Sequence, residues 1–395
     1  MVAFDERETI FSRVGLIEGT KEYEDFYKEF PQYEEVDTHL RSEMNKNMGM
    51  GSNDEKNKKK MKRMRTLMKL ASKFGINTMS MENGDFGDKK TIPIEIATSK
   101  INNPLFRDSA KANKAAIKKK VAKEKVELEP AIASILLKDV AIQYGADVVG
   151  IAQIGKNSSY SQRGNMMGIP NGDDSEIRDD YKYAIVLGSA MNLNLLNNSP
   201  KFHGMIASTQ TYAKSTMVSA QLTSYLKSLG YHALPDNYLK YYSPITQLSL
   251  EAGIGELGRS NMVVNPKYGN RMKLAAVWTN MPLIEDGPMG FGLQEFCGRC
   301  GICADNCPSK AICRTDATIT EEGTYWKHDE AKCMGMWMKV KNDCGVCMSA
   351  CPFSQGVNQD LVNEMKGNPD VMDEILRQHR EKYGKRNYYK TYPVK

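Results

Sequence analysis

The chain has few residues to spare for metal chemistry outside one short stretch. It holds five histidines and three tryptophans in 395 residues, and no cysteine lies before residue 297 or after residue 351. So few histidines disfavour a histidine-built metal centre. No run approaches the ~18 apolar residues of a membrane-spanning helix. The first residues, MVAFDERETIFSR, show neither the basic nor the apolar region of an export signal; a mature exported chain would read the same after cleavage. The net charge of +6 is modest and uneven, with lysines crowded into 57–73 and 111–125. These runs carry no interleaved aromatics, which argues against a nucleic-acid surface. They fit solvated helix faces, or a docking surface for an acidic partner or an anionic membrane.

What the chain does have is nine cysteines packed between Cys297 and Cys351. FCGRCGICADNCP supplies Cys297, Cys300, Cys303 and Cys307, closed by Pro308. Cys333, Cys344, Cys347 and Cys351 follow, closed by Pro352. C-x2-C-x2-C-x3-C-P is the bacterial ferredoxin spacing, in which the cysteine before the proline serves the other cluster. Two [4Fe–4S] clusters are expected, one on Cys297, Cys300, Cys303 and Cys351, the other on Cys307, Cys333, Cys344 and Cys347. Zinc does not require two interleaved runs each ending in Cys-Pro. Cys313 is left over and reads as a small buried residue.

The rest of the chain divides by texture. Residues 1–125 are polar, Met-rich and helical or irregular, with a Gly/Asn break over 49–53. An α/β core follows over 126–289. Within it Ala131 to Tyr144 reads as a helix, while Asp147 to Ile154 and Tyr183 to Gly188 read as short buried strands. His203 to Leu229 reads as a long helix closed by Gly230, with Val218, Leu222, Tyr225 and Leu229 forming its apolar stripe. Leu274 to Leu283 reads as another strand. The cluster domain occupies 290–355, and a charged tail over 356–395 is expected to pack back on the core. Gly253, Gly255 and Gly258 match G-x-G-x-x-G but follow a helix rather than a strand, which disfavours a dinucleotide site. Such dense glycine permits close backbone approach to a flat ligand, and a plain turn explains it equally well. The nearest string to a D-x-H-x-x-G corrinoid motif, Asp37 to Ser42, lacks the glycine, so His39 reads as structural or exposed.

FCGRCGICADNCP resembles the cluster motif of the reductive dehalogenases, as does the second cysteine run with its long first gap and Trp337. AGIGELGRSNMVVNPKYGNRMKLAAVWTNMPL (252–283) is similar to the block just upstream in that family, and SLGYHALP (228–235) is similar as well. FDERETIFSR and YEDFYKEFPQYEEVDTHLR resemble the start of the mature respiratory enzymes after their twin-arginine signal. The resemblance implies a nitroreductase-like α/β (α+β) core holding a base-off cobamide, with a C-terminal ferredoxin-like two-[4Fe–4S] domain. It implies the reaction R–X + 2e⁻ + H⁺ → R–H + X⁻ on a small halogenated hydrocarbon; the overall texture of the chain leans toward chlorinated alkanes over chlorinated ethenes. No lower histidine ligand is used in that family.

The family's proton donor matches Tyr212, backed by a cation for which Arg271 fits and Lys273 competes, since both would share one face of a strand. Such a cation stabilises the phenolate left after proton transfer. Asn237 matches an asparagine near the substrate. Gly253, Gly255, Gly258 and Arg259 match the backbone that approaches the corrin. The cluster on Cys307, Cys344 and Cys347 would lie nearer the cobalt. A small membrane-anchor protein and an electron donor are the implied partners, and nucleic acid is not. The implied location is the outer face of the cytoplasmic membrane, or the cytoplasm if the chain is complete as written. Two other readings stay open: an epoxyqueuosine reductase-like cobamide enzyme, and an iron–sulfur electron-transfer subunit with no cobamide. The Met44–Lys73 stretch carries no assignable motif.

Overall fold

The computed structural model describes residues 4–47, 92–155, 158–166, 169–170, 175–320, 323–340 and 343–389. Most of the Met44–Lys73 stretch and the break at 49–53 lie outside them. In chain order the main helices are α1 (Lys21–Glu29), α2 (Glu34–Asn47), α3 (Ile92–Lys118), α4 (Pro130–Gln143), α5 (Phe202–Ser228), α6 (Leu293–Cys300), α7 (Glu330–Val340) and α8 (Pro369–Tyr383). The main sheet has four strands, β1 (Val148–Gln153), β2 (Tyr183–Ala190), β3 (Ala233–Asp236) and β4 (Met272–Thr279), in the order β1-β2-β4-β3. Every pairing is antiparallel.

The strands alternate, yet both faces are buried. Ile151, Ile185, Leu187, Ala275 and Val277 point to one side, where α4 and α5 supply Leu137, Val218, Leu222 and Leu226. Ala152, Ala184, Val186, Ala276 and Trp278 point to the other, against Tyr242, Leu248, Ala252 and Ile254. This is why the strands read as continuous apolar runs, a pattern more usual for parallel sheets. The core is thus helices and an antiparallel sheet, an α+β arrangement. Gly150 on β1 lets the end of the short helix Ile245–Glu251 close on the sheet, because a Cβ there would stand 2.0 Å from the Ala252 carbonyl oxygen. Gly150→Ala should cost about 1–3 kcal/mol, the usual scale of overpacking, seen as a lowered Tm. An unchanged Tm would contradict this packing.

The expected helix and its stripe are present. Val218 and Leu222 are buried, and Tyr225 and Leu229 pack against the same cluster. The remainder of α5 is unusual. It is buried on nearly every side, including Ser208, Thr211, Ser215, Thr216, Ser219 and Thr223, because α3 lies along the side away from the sheet. The boundary expected at residue 125 therefore does not describe the packing, since α3 belongs with the core. Residues 4–47 join both parts: Ile10, Val14 and Leu40 pack on Met334 and Trp337 of α7, inside the cluster domain, while Glu6 N–H donates to the Gln162 carbonyl (3.0 Å) of the core. The tail also differs from expectation. Met372, Ile375 and Leu376 of α8 pack on Phe296, Cys300 and Phe353 of the cluster domain. It also touches the core directly, before α8 where Gln359 Nε2 donates to the Pro266 carbonyl (3.1 Å), and beyond α8 where Arg386 donates to the Ser199 carbonyl (3.1 Å) and Tyr389 N–H to that of Asn197 (3.0 Å).

Candidate active site and iron–sulfur centres

The two cysteine runs fold as near copies. α6 ends at Gly301 (φ 58°), a short helix Ile302–Asn306 follows, and Cys307 is extended. In the second run Gly345 (φ 62°) precedes helix Val346–Ala350, and Cys351 is extended before Pro352. Left-handed backbone at each Gly is the sharp turn that sets neighbouring thiols toward one centre. Cys297, Cys300, Cys303 and Cys351 line one cavity, together with Gly258, Arg259, Phe296 and Phe353. Cys333, Cys344 and Cys307 interact electrostatically with one another, and Cys347 with all three. The thiols thus stand in two groups, Cys297, Cys300, Cys303 and Cys351 in one and Cys307, Cys333, Cys344 and Cys347 in the other. Cys347 also neighbours Cys303, so the two sets stand side by side. Among the described residues no three His, Cys, Asp or Glu groups gather tightly enough to hold one bare ion; the thiols stand in two groups instead.

The donor chemistry fits iron. Burial pushes the Cys297 thiol up to about 12 and Cys333 to about 11, and it raises Cys300, Cys303, Cys344, Cys347 and Cys351 as well. Such thiols bind as thiolates only where metal charge compensates the desolvation. Cys307 differs. Burial pushes it up, but the N–H groups of Ile312 and Ala311 and the Ser309 hydroxyl hold it below the usual thiol value. Cys313 is half-buried rather than buried, and its sulfur accepts from the Thr315 hydroxyl at 3.1 Å.

Arg259 is not placed where the resemblance puts it. Its guanidinium donates to the carbonyls of Cys297 (2.8 Å), Cys313 (3.0 Å) and Thr315 (2.9 Å), and it lies 4.0 Å over the Trp326 ring. It staples the glycine block to the cluster loop, with its charge beside the first cysteine set. The glycines have a packing reason of their own. A Cβ would stand 2.6 Å from the Gly287 oxygen at Gly253, 2.3 Å from the Val264 oxygen at Gly255, and 2.7 Å from the Val264 side chain at Gly258. Their close approach is to the protein's own backbone and, for Gly258, to the first cluster cavity.

Tyr212 lies on α5, half-buried. Its ring stands 5.0 Å from Tyr238, which meets Phe106 of α3 edge-on at 5.3 Å. Lys273 of β4 places Nζ 4.1 Å from the centre of the Tyr212 ring. The two cations left open by strand parity separate in space. Arg271 donates to the carbonyls of Met191 (2.6 Å) and Ser354 (3.1 Å), at the seam between core and cluster domain. Burial lowers its pKa. Asn237 is fully buried, and its amide donates to Asn113 (2.8 Å) and Ser219 (3.0 Å) while accepting from Leu239 N–H (3.2 Å). It anchors a turn.

That turn carries what sequence reasoning missed. Burial pushes the Tyr238 and Tyr241 phenols well up, and Tyr212 is an electrostatic neighbour of both. Beside them Asp236 is fully buried, accepting from Tyr242 N–H (3.0 Å), the Ser243 hydroxyl (2.5 Å) and Trp278 Nε1 (3.1 Å). Burial raises its carboxyl to about 6. The signal was present in the density of PDNYLKYY, but phenols in a loop look like surface residues. Met348, next to Cys347, packs on Met191, Leu196 and Ala207, so the second cysteine set backs onto the start of α5.

The family model of the 4Fe–4S dicluster domain matches residues 296–355, and the chain carries two [4Fe–4S] sites there. The tetrachloroethene reductive dehalogenase of Sulfurospirillum multivorans is 30% identical over 253 residues, covering 56% of this chain and 50% of that protein. An epoxyqueuosine reductase of Lactococcus garvieae is 28% identical over 134 residues, covering 33% of this chain and 37% of that protein. A solved reductive dehalogenase, described as suggesting a mechanism for B12-dependent dehalogenation, superposes with a TM-score of 0.62 at 21% identity. It covers 79% of this chain and 47% of that one. The chain spans about half the length of the curated dehalogenases it matches. The likeness on the dehalogenase side is longer and stronger, so over these spans the chain is more similar to the reductive dehalogenases than to the epoxyqueuosine reductase, and it carries the dicluster domain besides.

Proposed function

We propose that the protein is a cobamide-dependent reductive dehalogenase that converts R–X to R–H and halide with two electrons and a proton, as the terminal reductase of organohalide respiration. The observation that carries this is Tyr212, a phenol on a buried helix with a cation over its ring and an aromatic wall beside it. The same helix begins against the second cysteine set. Unpartnered buried hydroxyls on Ser189, Ser208 and Thr216 lie on β2 and α5. They are what a ligand rich in amide side chains would satisfy, so these residues and Tyr212 would border the cobamide. That group supplies the reduced metal that acts on the carbon–halogen unit.

The chain's own residues do the rest. Tyr212 donates the proton from its hydroxyl, and Lys273 stabilises the phenolate left behind. Tyr238 and Phe106 exclude water and hold an apolar substrate. Asn237 acts by fixing the turn that presents Tyr238. The two clusters pass electrons in series, the second set being the one nearer Tyr212. The epoxyqueuosine reductase reading loses weight because that family uses an aspartate as donor, whereas the buried carboxyl here, Asp236, is enclosed by three donors. With no helix among the described residues long and apolar enough to cross a membrane, an exported form would sit peripherally on the outer face of the cytoplasmic membrane, held by a small anchor protein.

Halide release from a panel of chlorinated ethenes and alkanes tests the reading; no release from any member would overturn it. The lean toward alkanes is open in the same panel, since the named relative acts on tetrachloroethene. Lys273→Gln should lower kcat by about tenfold or more while Lys273→Arg restores most of it. Arg271→Gln should instead lower Tm through the lost seam to Ser354. Equal loss of kcat in Arg271→Gln with unchanged Tm would exchange the two roles.

A further inference from the structure

Helix α4 leaves an apolar stripe with no cover among the described residues. Ile132 (56% exposed), Ile135 (60%) and Ile142 (47%) face outward, while Ala133, Leu137 and Ala141 fill the core side. At 100° per residue these three isoleucines fall within about 80° of one another. Ile284, 54% exposed, also lies beside α4, where its N–H donates to the Ser134 hydroxyl at 2.8 Å. A helix apolar on both sides at a protein surface marks an interaction face.

The segment that leads into α4 says what the face meets. Between Lys111 and Lys125 stand seven lysines against the single acid Glu124, and all seven are exposed. The stretch is pinned beside the end of α5, where Ala122 N–H donates to the Lys227 carbonyl (2.8 Å) and Val126 N–H to that of Leu229 (3.0 Å). Glu127, Glu129, Asp139, Glu285 and Asp286 are also exposed, Asp286 paired with Lys138 of α4, and the seven lysines with Lys138 still outnumber these acids and Glu124.

We infer that the outer face of α4 and the Lys111–Lys125 segment form a docking surface for an anionic lipid bilayer. Isoleucines would enter the headgroup boundary while lysines meet the phosphates, the two-part attachment of interfacial helices. A second copy of this chain is the poorer occupant, because a two-fold contact on this face would bring the lysine segments toward each other. The inference concerns where the protein sits and is independent of the reaction.

The test is co-sedimentation of the full chain, with both clusters built, on vesicles of phosphatidylcholine alone and of phosphatidylcholine with about one third phosphatidylglycerol. Binding should require the anionic lipid and fall steeply with added salt. I132S/I135S/I142S should weaken it about tenfold or more, with iron content and viologen-driven halide release unchanged. Failure of the wild type to bind the anionic vesicles, or equal binding by the triple variant, overturns the inference. A wild-type dimer that the triple variant dissolves, with no vesicle binding, overturns it too and assigns the face to a second copy. Vesicle binding is scored apart from halide release, so loss of one does not imply loss of the other.

Discussion

Cys351→Ala should leave one cluster intact and remove the other, the iron content falling from about eight to about four. The residue sits four positions past Cys347, yet it shares a cavity with Cys297, Cys300 and Cys303. A chain built without interleaving would lose the cluster of Cys344 and Cys347 instead. Electron paramagnetic resonance of the reduced variant separates the two outcomes, because Cys307, Cys333, Cys344 and Cys347 keep all their sulfurs. Since electrons would pass the clusters in series, halide release should drop to background. A variant that keeps both clusters would contradict the pairing.

Tyr212→Phe should lower halide release by about 10²-fold or more, the usual scale for losing a general acid. The substitution keeps the ring, so the 5.0 Å contact with Tyr238 and the 4.1 Å approach of Lys273 persist. Only the hydroxyl is lost. Tm and iron content should therefore match the wild type, which separates a chemical defect from a folding one. Unchanged turnover would reject Tyr212 as the donor. A parallel loss in Tyr238→Phe would point to the wall rather than the proton.

The two groups of thiols follow the sequence spacing because thiol direction is set locally, by two short helices and two left-handed glycines. The strands were legible as apolar runs, but their antiparallel order was not, since a strand buried on both faces carries no directional signal. Strand parity left Arg271 and Lys273 unseparated, and their side-chain partners separate them in space. Arg271 sits at the very edge of β4, next to Met272, where its guanidinium turns to the Met191 and Ser354 carbonyls, while Lys273 stays beside the Tyr212 ring. Arg259 was unreadable because its partners are backbone carbonyls 38 to 56 positions away. The hydroxyl-rich half of α5 has no amphipathic period because α3 covers the face that would otherwise be solvated.

The most direct test of the central claim is cobalt measured beside iron on the full chain refolded with iron, sulfide and a cobamide, followed by halide release from a chlorinated substrate. The account predicts about one cobalt and about eight irons per chain, with halide released only when both are present. About eight irons with no retained cobamide would contradict it, and would leave an electron-transfer protein in place of a dehalogenase.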